Sequence, residues 1–140
     1  MVIDWLKDTN RYVIYGAQVI AYGAYTAIHH LTGRKPECFA VGKSKVKASY
    51  PVGNPDNIEG IPVRSIEEVP RETFIIVGVT ELIQKEVLPY LEENGYKHIF
   101  ALTQHEEHLL MSEYYRSVGR FPLAESVTGN GVFEGEAKEG

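Results

Sequence analysis

The fold is decided by residues 12–21, which read Tyr-Val-Ile-Tyr-Gly-Ala-Gln-Val-Ile-Ala. The first four residues are apolar and β-prone, so they predict a buried strand that ends at Gly16. A helix is predicted from about Ala17 to Leu31, because apolar residues recur there at helical spacing. Residues 38–42 predict a second strand. A strand, a long helix and a strand within about thirty residues have the size of a βαβ unit, which indicates a parallel sheet.

The rest of the chain repeats this alternation of strands and helices. Further strands are predicted at residues 74–79 and 98–102, with a short edge strand at 61–63 and a loop over residues 43–60. Helices are predicted to follow the two longer strands, starting after the capping residues Thr80 and Thr103. The alternation predicts a three-layer α/β domain with a mainly parallel sheet of four to five strands. We expect this domain to span residues 1–122, with a flexible acidic tail or the start of a linker at 123–140.

Two local features of the predicted helices can be checked against the structure. Ser65 and Glu68 fit a capping box for a short helix that Pro70 stops, and Thr103 and Glu106 fit another. Pro89 lies within the helical pattern after Thr80, so we expect it to kink or divide that helix.

Composition bounds the class of protein. The 140 residues carry a formal net charge of −5, with 44% hydrophobic and 24% charged residues, which is typical of a globular domain. An acidic chain lacks the overall charge of a nucleic-acid binder. Because there is one cysteine, no apolar run long enough to span a bilayer and no signal-peptide pattern, we expect a cytoplasmic protein without membrane contact.

The turn after the first strand is the first candidate binding site. Residues 16–21 follow the G-x-G-x-x-[G/A] frame of nucleotide-binding turns, with Gln18 in place of the second glycine. Gly16 suits the tight turn and Ala21 suits close packing of the helix, whereas Gln18 fills the space that a dinucleotide pyrophosphate would use. The helix N-terminus can still hold an anion, and Gln18 can donate a hydrogen bond to it. The alternative is a purely structural turn.

A basic segment follows the second strand. Residues 34–47 contain five basic residues and one acidic residue, in a chain that is acidic overall. We expect Lys43 and Ser44, which lie nearest the strand end, to contact a phosphate-bearing ligand. The alternative is a solvated lysine loop. An NAD site would instead place a carboxylate at this strand end, and none is present.

The sequence contains few signals for metal binding or catalysis. His105 and His108 share a helix face, but they do not form a zinc motif, and no metal site is predicted. Cys38 lies in an apolar strand without a signal for a lowered pKa. No order of nucleophile, base and acid and no P-loop lysine is present, so no catalytic residue is predicted. We expect that this chain alone is not an enzyme.

Several of these segments resemble one known family. They are residues 15–18, 53–68, 75–78 and 114–122, and together they look like the Rossmann-like nucleotide-binding domain of bacterial cell-surface polysaccharide biosynthesis proteins. Such domains precede sugar-nucleotide acyltransferases of the left-handed β-helix type, or are fused to capsule glycosyl- or methyltransferase domains. The chain departs from the acyltransferases because it has no hexapeptide repeats and has Gln18-Val19-Ile20 where they often have a Gly-Gly-His stretch.

The resemblance implies a nucleotide-sugar, or a related nucleotide or phosphate ligand, and no catalysis by the domain itself. It implies ligand-binding roles for Gly16, Ala17, Gln18, Lys43, Ser44, Gly78, Val79 and Thr80. It also implies a catalytic partner domain or protein. Because the acyltransferase chemistry itself cannot be carried over to this chain, we expect that the module either works alone or is the front of a longer protein. NAD(P)-dependent oxidoreduction, with the lysines holding a 2′-phosphate, is the first alternative. A homo-oligomerising interaction domain with a vestigial site is the second.

Overall fold

A computed structural model describes residues 1–42 and 55–119 of the chain. The α-helices are α1 (Val2–Trp5), α2 (Val19–Thr32), α3 (Glu81–Glu93) and α4 (Gln104–Ser117), with 3-10 helices at Leu6–Asp8 and Ile66–Glu68. The strands are β1 (Tyr12–Tyr15), β2 (Phe39–Val41), β3 (Asn57–Ile58), β4 (Ile61–Ser65), β5 (Phe74–Val77) and β6 (His98–Ala101). The predicted α/β class and the mainly parallel sheet are confirmed.

The strands form one six-stranded sheet in the order β3-β4-β2-β1-β5-β6. Five of them are parallel, and β3 pairs antiparallel with β4. We expected four to five strands, and the sheet has one more, the short strand β3. Counted along the chain, the five parallel strands lie in the order 3-2-1-4-5, so the strand order reverses between β1 and β5.

The core lies on both faces of the sheet, because alternate residues of a strand point to opposite sides. Tyr12 and Ile14 of β1 pack in a cluster that includes residues of α1, α2 and α4. Val13 packs in a second cluster that includes residues of α3 and of the 3-10 helix Ile66–Glu68. Helices therefore cover both faces, as the predicted three-layer arrangement requires.

The structure corrects the interpretation of residues 43–63. Residues 43–54 lie outside the described residues, but β3 forms a strand inside the predicted loop, because Asn57 and Ile58 pair with Pro62 and Ile61. Strand β4 is longer than expected, and it lies between β2 and β3 rather than at the sheet edge. Its Pro62 faces the two-residue strand β3, where few ladder hydrogen bonds depend on it.

The N-cap predictions are confirmed, but the capping box of Thr103 and Glu106 is not completed, because the Thr103 amide donates to the carbonyl of Ala101 rather than to the Glu106 side chain. The side chains of Thr80 and Thr103 cap α3 and α4 by accepting hydrogen bonds from the amides of Ile83 and Glu106. Ser65 also caps, but it accepts from the amide of Glu67, because the short helix that follows is a single 3-10 turn. Gly33 ends α2 with a φ of 74°, the left-handed conformation that is typical of a glycine after a helix.

Pro89 does not divide its helix. Helix α3 runs without interruption from Glu81 to Glu93 and includes this residue. Pro89 is exposed, so its ring points away from the core and the missing amide donor lies on the solvent side of the helix. The prediction of a divided helix was therefore wrong.

Candidate functional site

The carboxyl edge of the sheet is the candidate site, at the point where β1 and β5 lie side by side. From β1 the chain builds the sheet outward through β2 to β4, and it then returns to the other side of β1 with β5. Helices α2 and α3 leave these two neighbouring strands on opposite faces. In open α/β sheets the crevice at such a reversal is the usual ligand site.

Gly16 makes the tight turn that the sequence predicted. Its φ is 120°, a value that side chains other than hydrogen rarely allow. A Cβ atom added to it would lie 2.6 Å from the carbonyl oxygen of Gly78 and 3.1 Å from Cγ1 of Val79. Its amide donates to the carbonyl of Ala40 in β2 at 2.8 Å. Gly16 is thus held between the ends of β2 and β5, with no room for a side chain.

Gly78 lets the helix approach the sheet closely. A Cβ atom added to Gly78 would lie 3.2 Å from Cα of Ala21, which is fully buried in α2. The prediction that Ala21 serves close packing is consistent with this contact. The structure thereby brings Gly78 and Val79, which the family resemblance implicates, against the turn at Gly16.

The N-terminus of α2 carries the donors of this site. Gln18 is the N-cap residue, and its side chain is exposed and makes no capping hydrogen bond. The first intrahelical bond runs from the amide of Tyr22 to the carbonyl of Gln18 at 2.9 Å. Helix geometry leaves the amides of Val19 and Ile20 without an intrahelical acceptor, and the helix dipole makes this end partly positive. The side chain of Ala17 is buried and packs in the core, and its role in ligand binding stays a prediction.

The loop between β5 and α3 is already engaged in hydrogen bonds. The amide of Gly78 donates to the carbonyl of Tyr15 at 2.8 Å. The carbonyl of Val79 accepts from Nε2 of Gln84 at 2.9 Å, and Oγ1 of Thr80 accepts from the amide of Ile83 at 3.4 Å. These bonds fix the loop, so Gly78, Val79 and Thr80 shape the site more than they offer free donors to a ligand.

The second-strand side of the site is described only as far as Gly42. Lys43 and Ser44 lie outside the described residues.

The half-buried Tyr15 also belongs to the site, although the sequence predicted it only as the last residue of a buried strand. A Cβ atom added to Gly42 would lie 3.7 Å from the Tyr15 hydroxyl, so this hydroxyl lies at the ends of β1 and β2. Burial raises the pKa of Tyr15, and the nearby Tyr90 adds to the effect.

Two polar side chains of α3 join the site to the next loop, and the sequence did not single out either. Gln84 is 4% exposed, and its Nε2 donates to the carbonyls of Val79 and Leu102, both at 2.9 Å. Oε2 of Glu81 accepts from the amide of Gln104 at 2.8 Å. A glutamine at a core position of a helix is the signal that could have revealed this link.

Metal-binding and nucleophilic side chains are the other candidates for chemistry in this chain. Within residues 1–42 and 55–119, His, Cys, Asp and Glu form no group of three that could hold a metal ion. Burial raises the pKa of the Cys38 thiol to about 11, so the thiol is protonated at neutral pH.

Within residues 1–42 and 55–119, no helix combines the length and the apolar character that crossing a membrane requires.

Comparison of the chain with models of known families, with curated proteins and with solved structures finds no match. The resemblance to the polysaccharide biosynthesis domains therefore stays a prediction.

Proposed function

We propose that this chain is a noncatalytic Rossmann-like domain that binds a nucleotide-sugar, or a related nucleotide or phosphate ligand, at the carboxyl edge of its sheet. The geometry of the turn at Gly16 supports the place of the ligand. The family resemblance supports the ligand's chemical class and a role beside a catalytic partner in bacterial surface-glycan biosynthesis.

The observation that carries the proposal is the position of the α2 N-terminus. The strand order reverses beside β1, and the turn at Gly16 starts α2 at that reversal. The amides of Val19 and Ile20 have no intrahelical acceptor, and within residues 1–42 and 55–119 no side chain caps them. Phosphate groups are the ligands that such helix ends hold most readily in this class of sheet.

The same turn argues against a dinucleotide. Gln18 stands where a glycine normally lets the pyrophosphate approach the backbone. Strand β2 and the following Gly42 carry no carboxylate to accept the ribose hydroxyls, and the Tyr15 hydroxyl lies at that strand end instead. An NAD(P)-dependent oxidoreductase is therefore the weaker candidate, and a vestigial site in an oligomerising domain is an outcome of the tests below.

Thermal unfolding in the presence of a ligand panel tests the class of ligand. The panel contains UDP-, CMP- and GDP-sugars, NADPH and coenzyme A, and mass spectrometry of copurifying small molecules runs beside it. We expect a nucleotide-sugar to raise Tm, because a ligand at a hundred times its Kd stabilises the fold by about 2.7 kcal/mol. A shift with NADPH alone would favour the oxidoreductase, and a panel without any shift would favour the vestigial site.

Gln18→Glu tests the place of the ligand. A carboxylate beside the phosphates should weaken binding of the nucleotide-sugar that the panel identifies by about ten-fold or more, since like charges a few ångströms apart repel by 1 kcal/mol or more even in water, about 1.4 kcal/mol being ten-fold. Asn10→Asp is the matched control. It makes the same change from amide to carboxylate at an exposed residue just before β1, at the opposite edge of the sheet. Equal affinities of wild type and Gln18→Glu in isothermal titration calorimetry would refute the site.

A further inference from the structure

Gln84 is a buried amide that connects two loops of the carboxyl edge. Its Nε2 donates one hydrogen bond to the carbonyl of Val79, in the loop after β5, and one to the carbonyl of Leu102, in the loop after β6. Both distances are 2.9 Å, and the residue is 4% exposed. The two hydrogens of one amide group thus hold carbonyls that are 23 residues apart in the chain.

Two further hydrogen bonds reinforce the same connection. Oε2 of Glu81 accepts from the amide of Gln104, the first residue of α4, at 2.8 Å. The amide of Leu102 donates to the carbonyl of Val77, the last residue of β5, at 3.0 Å. The loop of residues 78–80 is therefore tied on one side to residues 102–104, and on its other side it contacts the turn at Gly16.

Packing alone does not explain a glutamine at this position. An apolar side chain of similar length, such as methionine, would fill the same space, but it would leave the carbonyls of Val79 and Leu102 without this donor. Buried carbonyls that lose a donor are costly, so the amide fixes where both loops lie. Gln84 does not reach the N-terminus of α2 itself and acts through the loop of residues 78–80.

We propose that Gln84 is a positioning residue for the ligand site and that it transmits occupancy of that site to the start of α4. The inference rests on the proposed function, because the loop of residues 78–80 forms one wall of the proposed site. A ligand that fixes this loop also fixes residues 102–104, since the same amide holds both. The start of α4 is then the surface at which a catalytic partner would sense the ligand, and coupling of this kind acts equally in both directions.

Hydrogen–deuterium exchange of the full chain tests this link, with UDP-N-acetylglucosamine as the first probe and the other panel ligands after it. In the wild type we expect the ligand to slow exchange at residues 78–80 and also at residues 102–104. In Gln84→Met we expect both segments to exchange faster without ligand, and binding to weaken by about ten-fold. The ligand should then slow exchange at residues 78–80 alone. Lys85→Met, an exposed neighbour on α3, is the matched control and should behave as the wild type.

Gln84→Glu separates positioning from general stability and serves if Gln84→Met does not fold. Its carboxylic acid carries a single O–H when protonated, so it can donate to one of the two carbonyls but cannot hold both. Lowering the pH should therefore restore stability in urea unfolding, while the response of residues 102–104 stays absent. A purely structural role would restore this response together with the stability. Unchanged affinity in Gln84→Met, or a ligand response at residues 102–104 that persists in it, overturns the inference.

Failure of the proposed function gives a different result. If no ligand of the panel slows exchange anywhere in the wild type, the proposed function fails. The positioning role is then judged without ligand. Faster exchange of both segments in Gln84→Met supports it, and unchanged exchange of either segment overturns it.

Discussion

At the scale of single residues, Gly16 is the position that tolerates change least. It combines a φ of 120° with a contact that leaves 2.6 Å between an added Cβ atom and the carbonyl oxygen of Gly78. The carbonyl oxygen belongs to buried backbone, and the position of the Cβ atom is fixed by the backbone of residue 16, so neither can move aside cheaply. We expect Gly16→Ala to lower the free energy of unfolding by about 2–4 kcal/mol, from backbone strain and overpacking together.

Gly33→Ala is the matched control for this prediction. Gly33 also has a positive φ, at 74°, but nothing lies within 4 Å of an added Cβ atom. Its substitution should therefore cost only the backbone strain, about 1 kcal/mol. Urea unfolding of both variants measures the difference, and equal losses would show that the contact with Gly78 does not matter.

The sequence predicted those residues of the site whose role is local. The capping threonines Thr80 and Thr103 act on amides three residues further along the chain. Gly16 and Ala21 belong to one short sequence frame that marks them, although both also contact the distant Gly78. Gln84 was missed because one of its partners, Leu102, lies eighteen residues away along the chain. The direction of its amide depends on how two loops meet in the folded sheet, which no local pattern encodes.

At the scale of elements, the hairpin of β3 and β4 could not be predicted from the local sequence pattern. The turn between these strands consists of Glu59 and Gly60, with φ values of 52° and 86°. Two-residue hairpin turns favour Asn or Asp before glycine, so Glu-Gly gives a poor signal. Glu59 is held by α2 instead, because its carboxylate accepts hydrogen bonds from the hydroxyls of Tyr22 at 2.5 Å and Tyr25 at 3.3 Å. Tertiary contact thus outweighs the local preference.

Helix α3 gives the second test at this scale. Its buried residues are Gln84, Val87 and Leu91, whereas the apolar Ile83 is 43% exposed. Packing of this face keeps the helix continuous through Pro89, although proline inside a helix costs about 3 kcal/mol relative to alanine. We expect Pro89→Ala to raise the free energy of unfolding by about 1–3 kcal/mol, because it restores a backbone donor at an exposed position.

Glu86→Ala is the control for the proline substitution. Glu86 is also exposed on α3, and its substitution should change stability by less than about 0.5 kcal/mol. Both variants are compared by urea unfolding at neutral pH. A Pro89→Ala variant no more stable than the wild type would mean that the helix is bent to suit the proline.

At the scale of the whole molecule, alternating strands and helices were enough to predict the α/β class and a mainly parallel sheet. The order of the strands was not predictable in the same way, since it depends on which strand each crossover returns to. The order matters most for function, because it places the turn at Gly16 beside β5 at the point of reversal. The basic residues at 43–47 lie outside the described residues, so their part in the site stays a prediction.

The core on the two faces of the sheet contains buried groups that ionise at high pH, so the stability of the fold depends on pH in the alkaline range. Burial raises the pKa of Cys38 from 9.0 to about 11, and burial also raises that of Tyr12 above its ordinary value of 10.0. Between pH 9 and 11 the unfolded chain releases the thiol proton while the folded chain keeps it, so the unfolded state is favoured as the pH rises. We expect the free energy of unfolding to be independent of Cys38 below pH 9. Through this window it should fall by about 2 kcal/mol on account of Cys38. Urea unfolding at pH 8, 9, 10 and 11 should show a shallower fall in Cys38→Ala, which retains Tyr12, and an equal fall in both proteins would contradict the assignment.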